Sequence, residues 1–147
     1  MTRVRTGGCL CGAVRYHVDG PMRPVIACHC HQCRKQTGHY FAATQAARSN
    51  VEITGGEAIT WYRASAHAER GFCSRCGSPL FWNSDGADRL SILAGSLDDP
   101  SGLDLIGHIY TAEKGDYYPI SDGLPQREGR PDGDLVTDLT GSPEWPR

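Results

Sequence analysis

The sequence predicts a mainly β domain, mostly antiparallel and with little helix. Three observations carry that class. Short stretches alternate apolar with polar side chains and are bounded by Gly, Pro, Asn and Asp, the pattern of half-buried strands joined by turns. Only one short stretch combines helix-forming residues with a clear stop. Seven cysteines fall into three tight groups, and thiols so close together suit a small fold stapled by bound metal.

The chain opens with Thr6-Gly7-Gly8-Cys9-Leu10-Cys11-Gly12, where glycines on both sides of a thiol pair predict a knuckle wrapped closely round an ion. Residues 13–18 then alternate Val14, Tyr16 and Val18 with Arg15 and His17, a strand ended by Asp19-Gly20-Pro21. A short apolar run over 24–27 leads into Cys28. A brief helix is expected over 32–36, stopped by Thr37-Gly38. Residues 40–47, 50–54 and 58–63 read as three more strands, although the alanines and glutamine of 42–48 also suit a helix. From Arg70 to Trp82 the pattern is a hairpin enclosing the knuckle Cys73-Ser74-Arg75-Cys76, with Gly77 placed for a left-handed turn. Strands at 90–94 and 104–111 complete the count. The whole of 1–147 reads as a single domain with its core in about 6–126 and a loosely packed tail rich in Gly, Pro and acidic residues.

The densest group is Cys28-His29-Cys30-His31-Gln32-Cys33, and no packing requirement asks for so much thiol and imidazole. Metal coordination does. Cys9, Cys11, Cys73 and Cys76 would close a tetrahedral structural zinc site, whereas Cys28, Cys30 and Cys33 offer a second zinc three ligands and leave one position open. The alternative for the first four is buried free thiols, which two closely spaced pairs flanked by glycine disfavour. For the second group, a histidine such as His29, His31 or His39 could supply a fourth ligand and make that site purely structural. His29 is otherwise expected to donate to the thiolates, and His31 has no assigned role.

The composition excludes several classes. No run approaches the ~20 apolar residues needed to span a bilayer, and the first ten residues contain no apolar signal core. A cytoplasmic location is the expectation, where reduced thiols favour metal over disulfide. The formal charge is −2. Seven thiolates contribute −7 and two zinc ions +4, which takes −2 to −5. Without a Lys/Arg block, so acidic a chain has no obvious electrostatic footprint for nucleic acid, although Arg34, Lys35, Arg70 and Arg75 all lie near cysteines in sequence and leave a local basic patch open.

Taken together, Gly8-Cys9-Leu10-Cys11-Gly12, Cys28-His29-Cys30-His31-Gln32-Cys33-Arg34 with Gly38, and Phe72-Cys73-Ser74-Arg75-Cys76-Gly77-Ser78-Pro79-Leu80 resemble one family. It is that of the glutathione-dependent formaldehyde-activating enzymes and their centromere protein V relatives. Ala94-Gly95-Ser96-Leu97-Asp98-Asp99-Pro100, His108-Ile109 and Asp122-Gly123-Leu124-Pro125 also match, so the resemblance spans about 6–126. It implies a zinc-bound β fold, a structural metal on the C-x-C and C-x-x-C pairs, and a second on the C-x-C-x-x-C cluster. It further implies carbon–sulfur lyase chemistry on an S-hydroxymethylglutathione-like adduct. The family often carries Trp in the segment after His108-Ile109, where this chain has Tyr117. If that position lines the substrate cleft, the substrate differs.

Two functions follow as expectations. In the first, Cys28, Cys30 and Cys33 form the catalytic zinc site for a small-molecule thiol. His29 and Arg34 support it, and Arg34 with Lys35 steers a carboxylate-bearing thiol such as glutathione. In the second, the chain is a non-catalytic zinc-stapled module that binds a protein partner. His108 reads as a satisfied structural histidine, and Asp98-Asp99-Pro100 as a turn.

Overall fold

A computed structural model of the chain describes residues 4–135. Ten strands and one α-helix follow one another as β1 (Val4–Gly8), β2 (Arg15–Asp19), β3 (Val25–Cys28), α1 (His31–Thr37), β4 (Phe41–Ala47), β5 (Val51–Thr54), β6 (Ile59–Arg63), β7 (Ala68–Cys73), β8 (Pro79–Ser84), β9 (Arg89–Leu93) and β10 (Leu105–Ile109). Three strands form a small sheet in the order β1-β2-β5. Seven form a larger one in the order β10-β3-β4-β9-β8-β7-β6. Every pairing is antiparallel except β10 against β3. The mainly β, mostly antiparallel class read from the sequence is the one observed.

The alternating pattern does its work in β2. Tyr16 and Val18 are buried while Arg15 and His17 are only partly covered, and the buried side chains meet Phe81, Leu80 and Ile92 of β8 and β9. This inter-sheet core is the main apolar mass. Tyr16 stands edge-on to Phe81 with ring centroids 5.5 Å apart. Its hydroxyl donates at 2.6 Å to Ser96 Oγ, which itself donates to the Leu93 carbonyl, so the one polar atom carried into this core is bonded. Burial pushes the Tyr16 phenol up to about 12.

The 42–48 stretch resolves as strand β4 followed by a short 3-10 turn at Arg48–Asn50. Two sheet neighbours, β3 and β9, flank it, and this pairing outweighs the helix preference of its alanines. Helix α1 starts one residue before the expected stretch and ends one after it. Gly38 caps it at φ 81° and returns an N–H to the Arg34 carbonyl, a left-handed turn that glycine adopts without strain.

Thr6 to Gly8 were read as part of a knuckle, and they lie in β1 instead; the knuckle proper begins at Cys9. Beyond β10 the chain turns back on itself: His108 exchanges backbone hydrogen bonds with Pro125 and Arg127, and Leu135 is buried. The rest of the tail, 136–147, lies outside the described residues. No helix of the described residues is long and apolar enough to cross a membrane.

Candidate metal centres

The knuckle after β1 and the turn between β7 and β8 bring Cys9, Cys11, Cys73 and Cys76 together, all four sulfurs lying within 4.8 Å of one another. Cys9 Sγ is 3.6 Å from Cys11 Sγ, which is 3.8 Å from Cys73 Sγ. Four sulfurs at ~2.3 Å from one ion in a tetrahedron stand about 3.8 Å apart, so the spacing fits zinc. The surrounding donors fit it as well. Val14 N–H points at Cys9 Sγ at 3.2 Å, Arg75 N–H at Cys73 Sγ at 3.4 Å, and the Ser78 hydroxyl lies 3.2 Å from Cys76 Sγ. Such N–H and O–H groups stabilise thiolate charge. Gly77, at φ 77°, makes the left-handed turn that lets the β7–β8 hairpin close round the pair.

Cys28, Cys30 and Cys33 form the second group, also within 4.8 Å. Cys28 ends β3, Cys30 caps α1 by accepting from the Cys33 N–H at 3.4 Å, and Cys33 is buried in the first turn. The three thiols compete for protons. Its two thiol neighbours push Cys28 far up, while hydrogen bonds from Cys28 and Cys33 pull Cys30 down. All three ionise together only if a cation shares the site.

No histidine joins this group among the described residues. His31 Nδ1 faces Glu113 at 3.4 Å. His29, expected to donate to the thiolates, does not: Nδ1 lies 2.5 Å from the Tyr118 hydroxyl and Nε2 lies 2.9 Å from His108 Nδ1. His108 Nε2 in turn reaches Asp122 at 2.7 Å. A carboxylate only accepts, so His108 carries its proton on Nε2, His29 donates from Nε2, and Tyr118 donates to His29 Nδ1. Burial, then the neighbouring His108, lowers His29 to about 4 and keeps it neutral. His108 is thus the satisfied histidine the sequence suggested, but Tyr118 and Asp122 were not foreseen as its companions.

The larger sheet separates the two sites. Side chains alternate along β7, so Gly71 and Cys73 face the inter-sheet core while Arg70 and Phe72 face the other side, with Tyr62 opposite Arg70 on β6. There a cleft of about 660 Å³ opens between the sheet and α1, lined by His31, Gln32, Lys35, Tyr62, Arg70 and Phe72 among others. Arg70 joins cleft to cysteines, donating from Nη2 to Cys33 Sγ at 3.4 Å.

A family model described as "Glutathione-dependent formaldehyde-activating enzyme" matches residues 4–113, which include every cysteine of both groups. The chain belongs to that family. A Halomonas elongata protein named "Putative glutathione-dependent formaldehyde-activating enzyme" is 36% identical over 83 residues, covering 51% of this chain and 53% of that protein. A Schizosaccharomyces pombe protein named as an uncharacterized lyase is 30% identical over 76 residues, covering 52% and 55%. The chain thus spans about half the length of these curated relatives. A solved Rhodobacter sphaeroides protein superposes with a TM-score of 0.54 at 25% identity, covering 63% of this chain and 87% of that one.

Within this family fold the other expected residues divide. Lys35 lines the cleft. Arg34 points elsewhere: its Nε is buried with no hydrogen-bond partner among the described residues, and its charge is felt at Tyr118. Tyr117 is mostly exposed and donates to the Gly38 carbonyl at 3.0 Å. Asp98 is structural, tied to Thr6 at 2.7 Å and to the Arg15 guanidinium. Arg70 is the member that sequence reasoning did not place at this site: it lies near Cys73 in sequence, but the cysteine it touches is 37 residues away.

Proposed function

We propose that the chain is a zinc-dependent carbon–sulfur lyase that joins formaldehyde to a glutathione-type thiol, or releases it, through an S-hydroxymethyl adduct. The observation that carries this reading is the gathering of Cys28, Cys30 and Cys33, without a fourth protein ligand among the described residues, beside a cleft with cationic walls. Family membership and the names of the two relatives support it.

The balanced reaction is addition of a thiol to the carbonyl group of formaldehyde. A sulfur lone pair forms the carbon–sulfur bond, the carbonyl π pair moves to oxygen, and the thiol proton ends on that oxygen to give the S-hydroxymethyl thioether. When bound, a zinc ion on the three cysteines supplies a Lewis acid that lowers the pKa of an incoming thiol. The protein's own groups do the rest. Lys35, and His31 when protonated, place positive charge on the cleft wall, where a thiol bearing carboxylates is attracted. Arg34 lies off that wall, and its buried N–H, which has no hydrogen-bond partner among the described residues, offers a second point of attachment only to a ligand that extends beyond the cleft. Cys9, Cys11, Cys73 and Cys76 hold a second, structural zinc that fixes the hairpin carrying Arg70.

Cobalt replacement tests the reading. Glutathione should change the sulfur-to-metal charge-transfer absorption of the three-cysteine site and leave that of the four-cysteine site unchanged. Cys30→Ser should abolish the response in a folded protein. If neither glutathione nor any other small thiol alters the spectrum, the chain is a zinc-stapled binding module.

A further inference from the structure

Arg70 is 6% exposed, so its positive charge is carried inside the fold. No carboxylate pairs with it among the described residues. Its Nε donates to Gln32 Oε1 at 3.3 Å, its Nη1 to Gln36 Oε1 at 2.9 Å and its Nη2 to Cys33 Sγ at 3.4 Å, with the guanidinium carbon 5.8 Å from the centre of the Phe41 ring. The two glutamines and the ring are neutral. Of the groups the guanidinium touches, only the Cys33 sulfur can be anionic, and a buried cation needs such a partner.

We propose that Arg70 is the counter-ion of the three-cysteine site and determines what its open position accepts, favouring an anionic sulfur ligand over a neutral oxygen or nitrogen ligand. The inference rests on that site holding a divalent metal. Three thiolates and a divalent ion sum to −1. A thiolate in the open position makes −2, a charge that water or a carbonyl oxygen would not add. Arg70 returns the total to −1 across a single hydrogen bond, in surroundings where charge interactions are little screened. Two glutamine carbonyls from successive turns of α1 hold the fork, so it cannot swing into solvent. Arg70 also lines the cleft, so one fixed positive charge borders both the cleft and the Cys33 sulfur. It is a specificity-determining residue acting through charge, and nothing in its geometry makes it an acid or base.

The test uses the full chain loaded with cobalt, at a pH above 8 where imidazole is neutral. Azide serves as a small anionic probe and imidazole as a small neutral one, each titrated into the absorption of the three-cysteine site. Arg70→Gln should weaken azide by about tenfold or more while leaving imidazole within about twofold, since only the anion loses a charge partner. Arg70→Lys keeps the charge and should hold the azide-to-imidazole affinity ratio within about threefold of the unsubstituted protein. The unchanged spectrum of the four-cysteine site reports that each variant is folded. Equal weakening of both probes, or of neither, would overturn the proposal while leaving the lyase reading intact. So would a folded Arg70→Lys protein that loses the ratio, which decides the matter even if Arg70→Gln does not fold. If the unsubstituted protein takes up cobalt only at the four-cysteine site, both readings fall.

Discussion

The sulfurs of Cys11 and Cys73 lie 3.8 Å apart although 62 positions separate them in sequence. One belongs to the loop leaving the small sheet, the other to the last residue of β7 in the large one. The pair therefore fastens the two sheets together at one edge of the core formed by Tyr16, Phe81 and Ile92. Four like groups this close repel once ionised, so four thiolates here would need a cation among them.

With zinc among the four sulfurs, replacing one of these cysteines should unfold the domain rather than merely loosen a loop. Structural zinc contributes ~10 kcal/mol or more in small domains, comparable to the whole stability of a chain this size. Cys76→Ser is expected to give insoluble or partly unfolded protein with no cooperative melt. A soluble variant with an unchanged melting curve and one zinc per chain would refute the structural role.

Tyr16 gives a pH dependence whose sign is fixed. The folded phenol is held up to about 12 by burial, whereas an unfolded tyrosine titrates near ~10. Above about pH 10 the unfolded chain releases a proton that the folded chain keeps, so stability falls as pH rises toward 12, by up to ~1.4 kcal/mol per unit from this group. Tyr16→Phe should cost ~1 kcal/mol at neutral pH through the lost bond to Ser96, and should lose less stability than the unsubstituted protein between pH 10 and 12. Urea unfolding at a series of pH values measures both, and parallel pH curves would show that Tyr16 ionises normally.

Much of this was legible in the sequence, for identifiable reasons. Strand alternation showed in β2 because one face meets the core and the other meets water. Gly38 and Gly77 showed their turns because both sit at positive φ. Proximity in sequence misled at two places. His29 lies between two ligands, but in the extended backbone that enters Cys30 a residue points opposite to its neighbours, so its ring turns to Tyr118 and His108. Arg34 adjoins Cys33, but one step along a helix rotates a side chain by about 100°, and the cation at the sulfur comes from Arg70 instead. The parallel pairing of β10 with β3 was likewise beyond local pattern, since tertiary contacts alone select it.

The row from half-buried Tyr118 through the buried His29 and His108 to exposed Asp122 makes the next prediction. Asp122 is its only acceptor-only member, held below the usual carboxylate range by the Leu124 N–H and then by His108. Removing it leaves the buried His108 Nε2–H without that partner and lets the tautomers of both rings invert. Asp122→Ala should destabilise the protein, and the ring-nitrogen chemical shifts of His29 and His108 should show mixed tautomers. Shifts identical to those of the unsubstituted protein would mean that the order of donors is set elsewhere.

Arg34 separates a thiol that carries carboxylates from one that does not. Its Nε–H is buried and has no hydrogen-bond partner among the described residues, and an unmet donor favours a ligand that supplies an acceptor, most of all an ionised one. Arg34→Ala should therefore weaken glutathione at the cobalt-loaded three-cysteine site by ~1–2 kcal/mol, roughly 5- to 30-fold, because one charge-assisted bond is lost. A neutral thiol such as 2-mercaptoethanol has no carboxylate to place there and should bind the variant and the unsubstituted protein alike. The difference should shrink with added salt if the contact is partly exposed, since screening weakens such pairs. Equal weakening of both thiols would point to damage at α1, which also carries Cys33. Unchanged glutathione affinity would leave Lys35 as the cation that meets the carboxylate on the cleft wall.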